Sequence, residues 1–321
     1  MTTACMPRPC SAIWGDTMKT GAVSKNYAIE FYRILATVAI CMHHFYGFPL
    51  QYSNLAVCVE FFFILSGYFL MVSYGRERSR SAIAYGKKRF LRLYPEFFLA
   101  YLVLLAWIVV MNRTRPDPLV VIPEMLFLKS AGVFNEGYNY PDWYVCILFW
   151  GELIIYNCLT YNRRLFTRIV APLLVLFGYA WLFGCGKGIG TLEIWDSFYP
   201  LLRALCGLSL GVLVYEVQRS GCMKDMKLWQ GTAIEVVSLL VIVYSLIRDR
   251  NLWALAIVGF LFLCLVTVQK KGWLSSVLLD RAIFGTLSKA SYGMYLNQVL
   301  LIAFTWRVVG GNTGWKAWTV Y

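Results

Sequence analysis

The sequence predicts an all-α, polytopic integral membrane helix bundle, and three observations carry that prediction. Apolar residues fill 59% of the 321 positions and charged residues only 15%, a balance outside the soluble range. Mean hydropathy is correspondingly high, at +0.59. The apolar residues are also gathered into runs of about 20, the length that carries a helix across the hydrocarbon core. Nine transmembrane helices are expected, over 28–47, 55–74, 95–111, 142–160, 169–185, 197–217, 230–247, 252–268 and 283–309.

Residues 1–27 hold Pro7 and Pro9 but no continuous apolar core of the signal-peptide kind, so they read as a disordered lead, with Met18 as an alternative start. Residues 28–321 then form one membrane domain, without soluble appendage or internal repeat. Pro116, Pro118 and Pro123 interrupt the stretch 109–129, which is expected to be an outer loop dipping into the interface. Nine spans starting inside leave Tyr321 outside, and Trp315–Tyr321 reads as the approach to a truncated tenth span.

Charge sets the orientation, because short loops rich in Lys and Arg stay on the cytoplasmic side. The second loop carries Arg76, Arg78 and Arg80 and runs on into Lys87, Lys88, Arg89 and Arg92. The fourth carries Arg163, Arg164 and Arg168, and the sixth and eighth are basic as well. The odd loops are poorer, so the N-terminus is expected in the cytoplasm and the protein in the cell inner (plasma) membrane. The net charge of +13 is then a topology signal and not a sign of nucleic-acid binding. Cys41, Cys58, Cys146, Cys158, Cys206 and Cys264 lie within spans and no CxxC pair occurs, so neither a disulfide framework nor a metal site is expected.

The two histidines of the chain, His43 and His44, are adjacent and lie inside the first apolar stretch. Ionisable groups at that depth are costly unless they have work to do. Arg33 and His44 are eleven positions apart, which at about 100° per residue puts them within about 20° on one face and about 16 Å apart along the axis. Thr37 and Ile40 fall on the same stripe, whereas His43 points to another face. In the second span, Glu60 and Gly67 share a face, where the glycine admits a neighbouring helix beside the carboxylate. A buried Glu60 needs a partner. Arg33 or one of the histidines is the expected one.

These residues fall into a recognisable series. Glu30 to Ala36 with His43-His44-Phe45, Phe61 to Tyr68, Arg89-Phe90-Leu91-Arg92-Leu93-Tyr94-Pro95, Asp142-Trp143-Tyr144-Val145, Leu202-Arg203-Ala204 with Gly207 and Gly211, and Ser291 to Leu296 follow one another over about 25–309. In this order they resemble the signatures of acyltransferase family 3, integral membrane enzymes that modify carbohydrates.

The resemblance implies a bundle of about ten spans that moves an acyl group, usually acetyl, from acyl-CoA to a hydroxyl of a glycan or lipid-linked sugar. It implies that His44 is catalytic and that Arg89 and Arg92 belong to a functional arginine motif. Asn297 stands where many relatives carry a further histidine.

The residues themselves suit that chemistry. Neutral imidazole takes a hydroxyl proton near pH 7, so His44 is the expected base, with His43 beside it. Glu60 is expected to orient the ring or balance its charge, and Arg33 or a nearby amide to stabilise the oxyanion. Lys88, Arg89 and Arg92, just ahead of the third span, are expected to meet the phosphates of the donor, and Trp143 joins them as a substrate-binding candidate. The expected partners are acyl-CoA, a glycan or lipid-linked sugar acceptor and membrane lipids. No separate cofactor is expected. The alternative is a transporter or flippase for a lipid-linked glycan, with His43 and His44 as a proton relay.

Overall fold

The computed structural model describes residues 25–44, 54–77, 81–132, 134, 136–184, 198–248 and 252–309. The disordered lead and the tenth span expected near Tyr321 lie mostly or wholly outside these residues. Ten helices are labelled α1 (Tyr27–His44), α2 (Cys58–Arg76), α3 (Ala82–Asn112), α4 (Pro118–Met125), α5 (Asp142–Leu165), α6 (Tyr199–Ser220), α7 (Leu228–Ile247), α8 (Trp253–Val268), α9 (Ala282–Leu287) and α10 (Lys289–Val309), and a further helical stretch follows α5 over 166–184. No strand occurs among the described residues.

Among the described residues, five helical segments are long and apolar enough to cross a membrane: Leu55–Arg76, Ala82–Asn112, Asp142–Gly184, Tyr199–Ser220 and Leu228–Ile247. That falls short of the nine expected. The shortfall has physical causes. Helix α1 carries Glu30, Arg33 and two histidines, and α10 carries Lys289 and several hydroxyls, so their hydropathy is diluted. Helix α8 is apolar but only 16 residues long. The 43-residue segment, by contrast, is not a single rod. Asn162 leaves helical geometry at φ −153° and ψ 92°, and its Oδ1 accepts the N–H of Leu165 at 3.0 Å. The side chain thus caps a new helix where the old one stops. Gly151 before this turn and Gly178 after it both abut α6, near Leu208 and Cys206 respectively, so the chain folds back on itself.

Three further boundaries differ from the sequence reading. Helix α3 begins at Ala82, capped by the Ser81 hydroxyl, so Lys88, Arg89 and Arg92 stand on the helix itself and not ahead of it. The supposed loop 109–129 contains α4, started by the Asp117 side chain and by Pro118 in the first turn, where a missing N–H costs nothing. The stretch 283–309 is broken at Ser288, which separates α9 from α10 and makes Lys289 the first residue of α10.

Helices α2 and α6 make the tightest crossing. A Cβ on Gly67 would lie 2.0 Å from the Leu208 carbonyl oxygen, and one on Gly211 would lie 2.0 Å from that of Ile64. Backbone meets backbone here, as small residues permit between helices in lipid. Gly211→Val should therefore force the pair apart and lower the thermal unfolding midpoint of the detergent-solubilised protein, at a cost of about 1–3 kcal/mol or more. An unchanged midpoint would contradict this packing.

Helices α1, α2, α5, α3 and α10 close a ring, each touching the next. Large apolar side chains such as Leu99, Val110, Leu240 and Ile247 remain exposed on the outside of the bundle, as a lipid-facing surface requires.

Candidate active site

The ring encloses a cavity of about 750 Å³. Its two ends differ in chemistry. Lys25, Arg33, Arg76, Arg89, Arg92 and Lys289 line one end, with Glu30 and Glu96 among them. These come from the N-terminal parts of α1, α3 and α10 and the C-terminal end of α2, all brought to one side of the bundle. The other end is walled by Ile40, Val59, Phe62, Tyr144, Val145 and Tyr295. From Val59 to Arg76 the wall follows α2 for 17 residues, about 25 Å of helix. The shape is long and amphipathic.

The charged end is partly pre-paired. Arg33 Nη1 donates to Glu30 at 3.0 Å, and Lys25 Nζ lies 3.7 Å from the same carboxylate. Arg89 grips buried Glu152 at two points, Nε at 2.5 Å and Nη2 at 2.6 Å, and the Tyr85 hydroxyl donates to the same group at 3.1 Å. This short, buried ion pair holds the guanidinium in place. Arg76, Arg92 and Lys289 have no carboxylate partner among the described residues. Lys88 is largely exposed, with Nζ 3.6 Å from Glu77. It lines a small side pocket that shares Ser66, Phe69, Arg89 and Arg92 with the main cavity.

The angular reading of α1 holds for its stripe: Arg33, Thr37 and Ile40 all line the cavity. His44 follows one turn later, at the last residue of α1, and neither it nor His43 is part of the cavity wall. Its ring sits edge-on to Tyr140, with centroids 5.3 Å apart, and edge-on to His43 at 5.1 Å.

Three expectations need correction. Glu60 does not pair with Arg33 or a histidine. It forms a buried ion pair with Arg203 of α6 and accepts the Tyr179 hydroxyl at 2.6 Å, and it is absent from the cavity wall. Trp143 is likewise turned away from the cavity and lies against Arg203, 5.4 Å from ring centroid to guanidinium carbon. Its neighbour Tyr144 faces the cavity instead. Arg33 stands eleven residues of unbroken helix from His44, about 16 Å, so its guanidinium does not reach a carbonyl reacting there.

Sequence reasoning missed the support beneath Tyr140. Glu124 and Lys129, both fully buried, pair at 2.9 Å. Glu124 also accepts the backbone N–H groups of Tyr138 at 2.7 Å and Asn139 at 3.2 Å, while Lys129 donates to the Asn139 carbonyl at 2.7 Å. Asn139 in turn donates to Asp142 at 2.6 Å and to the Leu296 carbonyl at 3.1 Å. The segment that presents Tyr140 to His44 is thereby tied to α4, α5 and α10. Asn297 donates to the Gly293 carbonyl of its own helix at 2.9 Å.

A family model described as an acyltransferase domain, that of acyltransferase family 3, matches residues 26–321. The chain belongs to acyltransferase family 3. No curated protein and no solved structure matches it. In this acyltransferase several of the sequence signatures meet at one cavity, whereas His43, His44 and residues 202–204 lie outside its wall. The arginine motif, the aromatic run of α2, Tyr144 of the Asp142 signature and the Ser291–Tyr295 segment all line the same cavity.

Proposed function

We propose that this acyltransferase takes an acyl group, acetyl in the first instance, from cytoplasmic acyl-CoA and delivers it to a hydroxyl of a cell-surface or lipid-linked glycan, with His44 as general base. One observation carries the reading: a single cavity runs from a basic end to an aromatic end, along the very stripe of α1 whose next turn is His44. An acyl-CoA has the matching form, with phosphates at one end and a thioester on a slender arm at the other. The basic end faces the cytoplasm, as the loop charges require, and the acceptor approaches from the far side.

In the reaction the Nε2 or Nδ1 lone pair of His44 takes the proton of the acceptor hydroxyl. The oxygen attacks the thioester carbonyl and forms a tetrahedral intermediate. Its collapse breaks the C–S bond, and the coenzyme thiolate leaves and recovers a proton from the imidazolium. With Arg33 and Glu60 both placed elsewhere, the developing oxyanion is left to donors near the end of α1. Arg92 and Arg33 hold the donor by charge at the opposite end.

Washed membranes containing the protein, given acetyl-CoA labelled in the acetyl group, should yield alkali-labile label on membrane glycans. Membranes without the protein should yield none. Movement of a lipid-linked glycan across the bilayer with no label transferred would instead support the transporter reading and sink this one.

A further inference from the structure

The basic end of the cavity holds more cations than its carboxylates neutralise, and the surplus is arranged in two layers. Glu30 serves Lys25 and Arg33, Glu152 serves Arg89, and Glu96 is the one further carboxylate on this wall, so three cations, Arg76, Arg92 and Lys289, face the cavity with no ion pair among the described residues. Two contacts fix their relative depth. Lys88 of α3 lies level with the end of α2, because its Nζ is 3.6 Å from Glu77. Arg92 is one turn further along α3, about 6 Å deeper than Arg76. The Tyr292 hydroxyl donates to the Leu93 carbonyl at 3.1 Å, which sets residues 92–93 level with the fourth residue of α10. Lys289, the first residue of α10, is then about 4–5 Å shallower than Arg92. Arg76 and Lys289 thus share the mouth, and Arg92 lies one turn in.

Resting on the reading of acyl-CoA as donor, we propose that Arg76 and Lys289 form a subsite for the 3′-phosphate of the coenzyme, with Arg92 on the pyrophosphate one turn deeper. The order of groups along the ligand demands this layering. The 3′-phosphate is on the ribose, at the end away from the thiol, and the pyrophosphate lies between it and the pantetheine arm. A phosphomonoester carries close to two charges at neutral pH and needs two cations to hold it. An arginine and a lysine from different helices supply one forked and one point contact. Arg89, committed to Glu152, acts as a positioning residue that holds the wall of α3 against α5.

The test measures binding of CoA and of 3′-dephospho-CoA to the purified full-length chain in detergent, apart from any turnover. The unmodified protein should prefer CoA by about tenfold or more, the scale of one charge-assisted contact pair. Arg76→Gln and Lys289→Gln should each reduce that preference, and the double variant should abolish it while binding dephospho-CoA as before. Arg76→Lys should retain most of it. Lys224→Gln, an equal loss of charge at an exposed turn far along the chain, should leave the preference intact. A preference that survives in the double variant, or none in the unmodified protein, overturns the subsite while the donor reading stands. Failure to bind either nucleotide overturns both.

Discussion

Replacing His44 by alanine should reduce acyl transfer by about 100- to 10,000-fold in kcat, the range that a positioned general base supplies. The KM for acyl-CoA should stay nearly constant. These two outcomes should separate because His44 ends α1 about 16 Å from Arg33, which lines the basic end of the cavity. His43→Ala serves as the internal comparison. Its ring faces another side of the helix and meets His44 only edge-on at 5.1 Å, so the effect on kcat should be much smaller. Radiolabelled transfer from acetyl-CoA in membranes measures both. A His44→Ala protein that transfers at the parental rate would remove the base from the mechanism, and a raised KM with unchanged kcat would make His44 a binding residue only.

Much of this site was legible because it depends on periodicity within single helices. The stripe of Arg33, Thr37 and Ile40 follows from 3.6 residues per turn, and the structure puts all three on the cavity. The partner of Glu60 was not legible by nearness along the chain, since Arg203 lies 143 positions away. A signal existed all the same. Both residues are charged, of opposite sign and set in apolar stretches, and such charges pair with one another. Glu124 and Lys129 were hidden by the prolines around α4, which made a segment with a buried ion pair resemble an outer loop dipping into the interface. The early start of α3 was obscured by its basic first turns, whose side chains face the cavity and the side pocket.

Removing the Arg203 side chain should be among the most destabilising single changes in the protein. Arg203 is 1% exposed and Glu60 is wholly buried. The guanidinium pairs with Glu60, lies over the rings of Trp143 at 5.4 Å and Trp253 at 5.8 Å, and reaches toward the Ala56 carbonyl at 3.4 Å. Four helices or their leading turns, α2, α5, α6 and α8, therefore converge on one side chain. Arg203→Met leaves the Glu60 carboxylate buried with, among the described residues, the Tyr179 hydroxyl as its hydrogen-bond donor, a loss of about 3–5 kcal/mol for a broken buried pair. Adding Glu60→Gln should recover part of it, because the stranded charge is gone. Thermal unfolding in detergent of the two single variants and the double one closes that cycle. Simple addition of the two losses would mean that the pair contributes nothing as a pair. Catalysis provides a second readout. Trp143 precedes Tyr144, which faces the cavity, so loosening the stack at Arg203 should raise the KM for acyl-CoA even at temperatures where the variant remains folded.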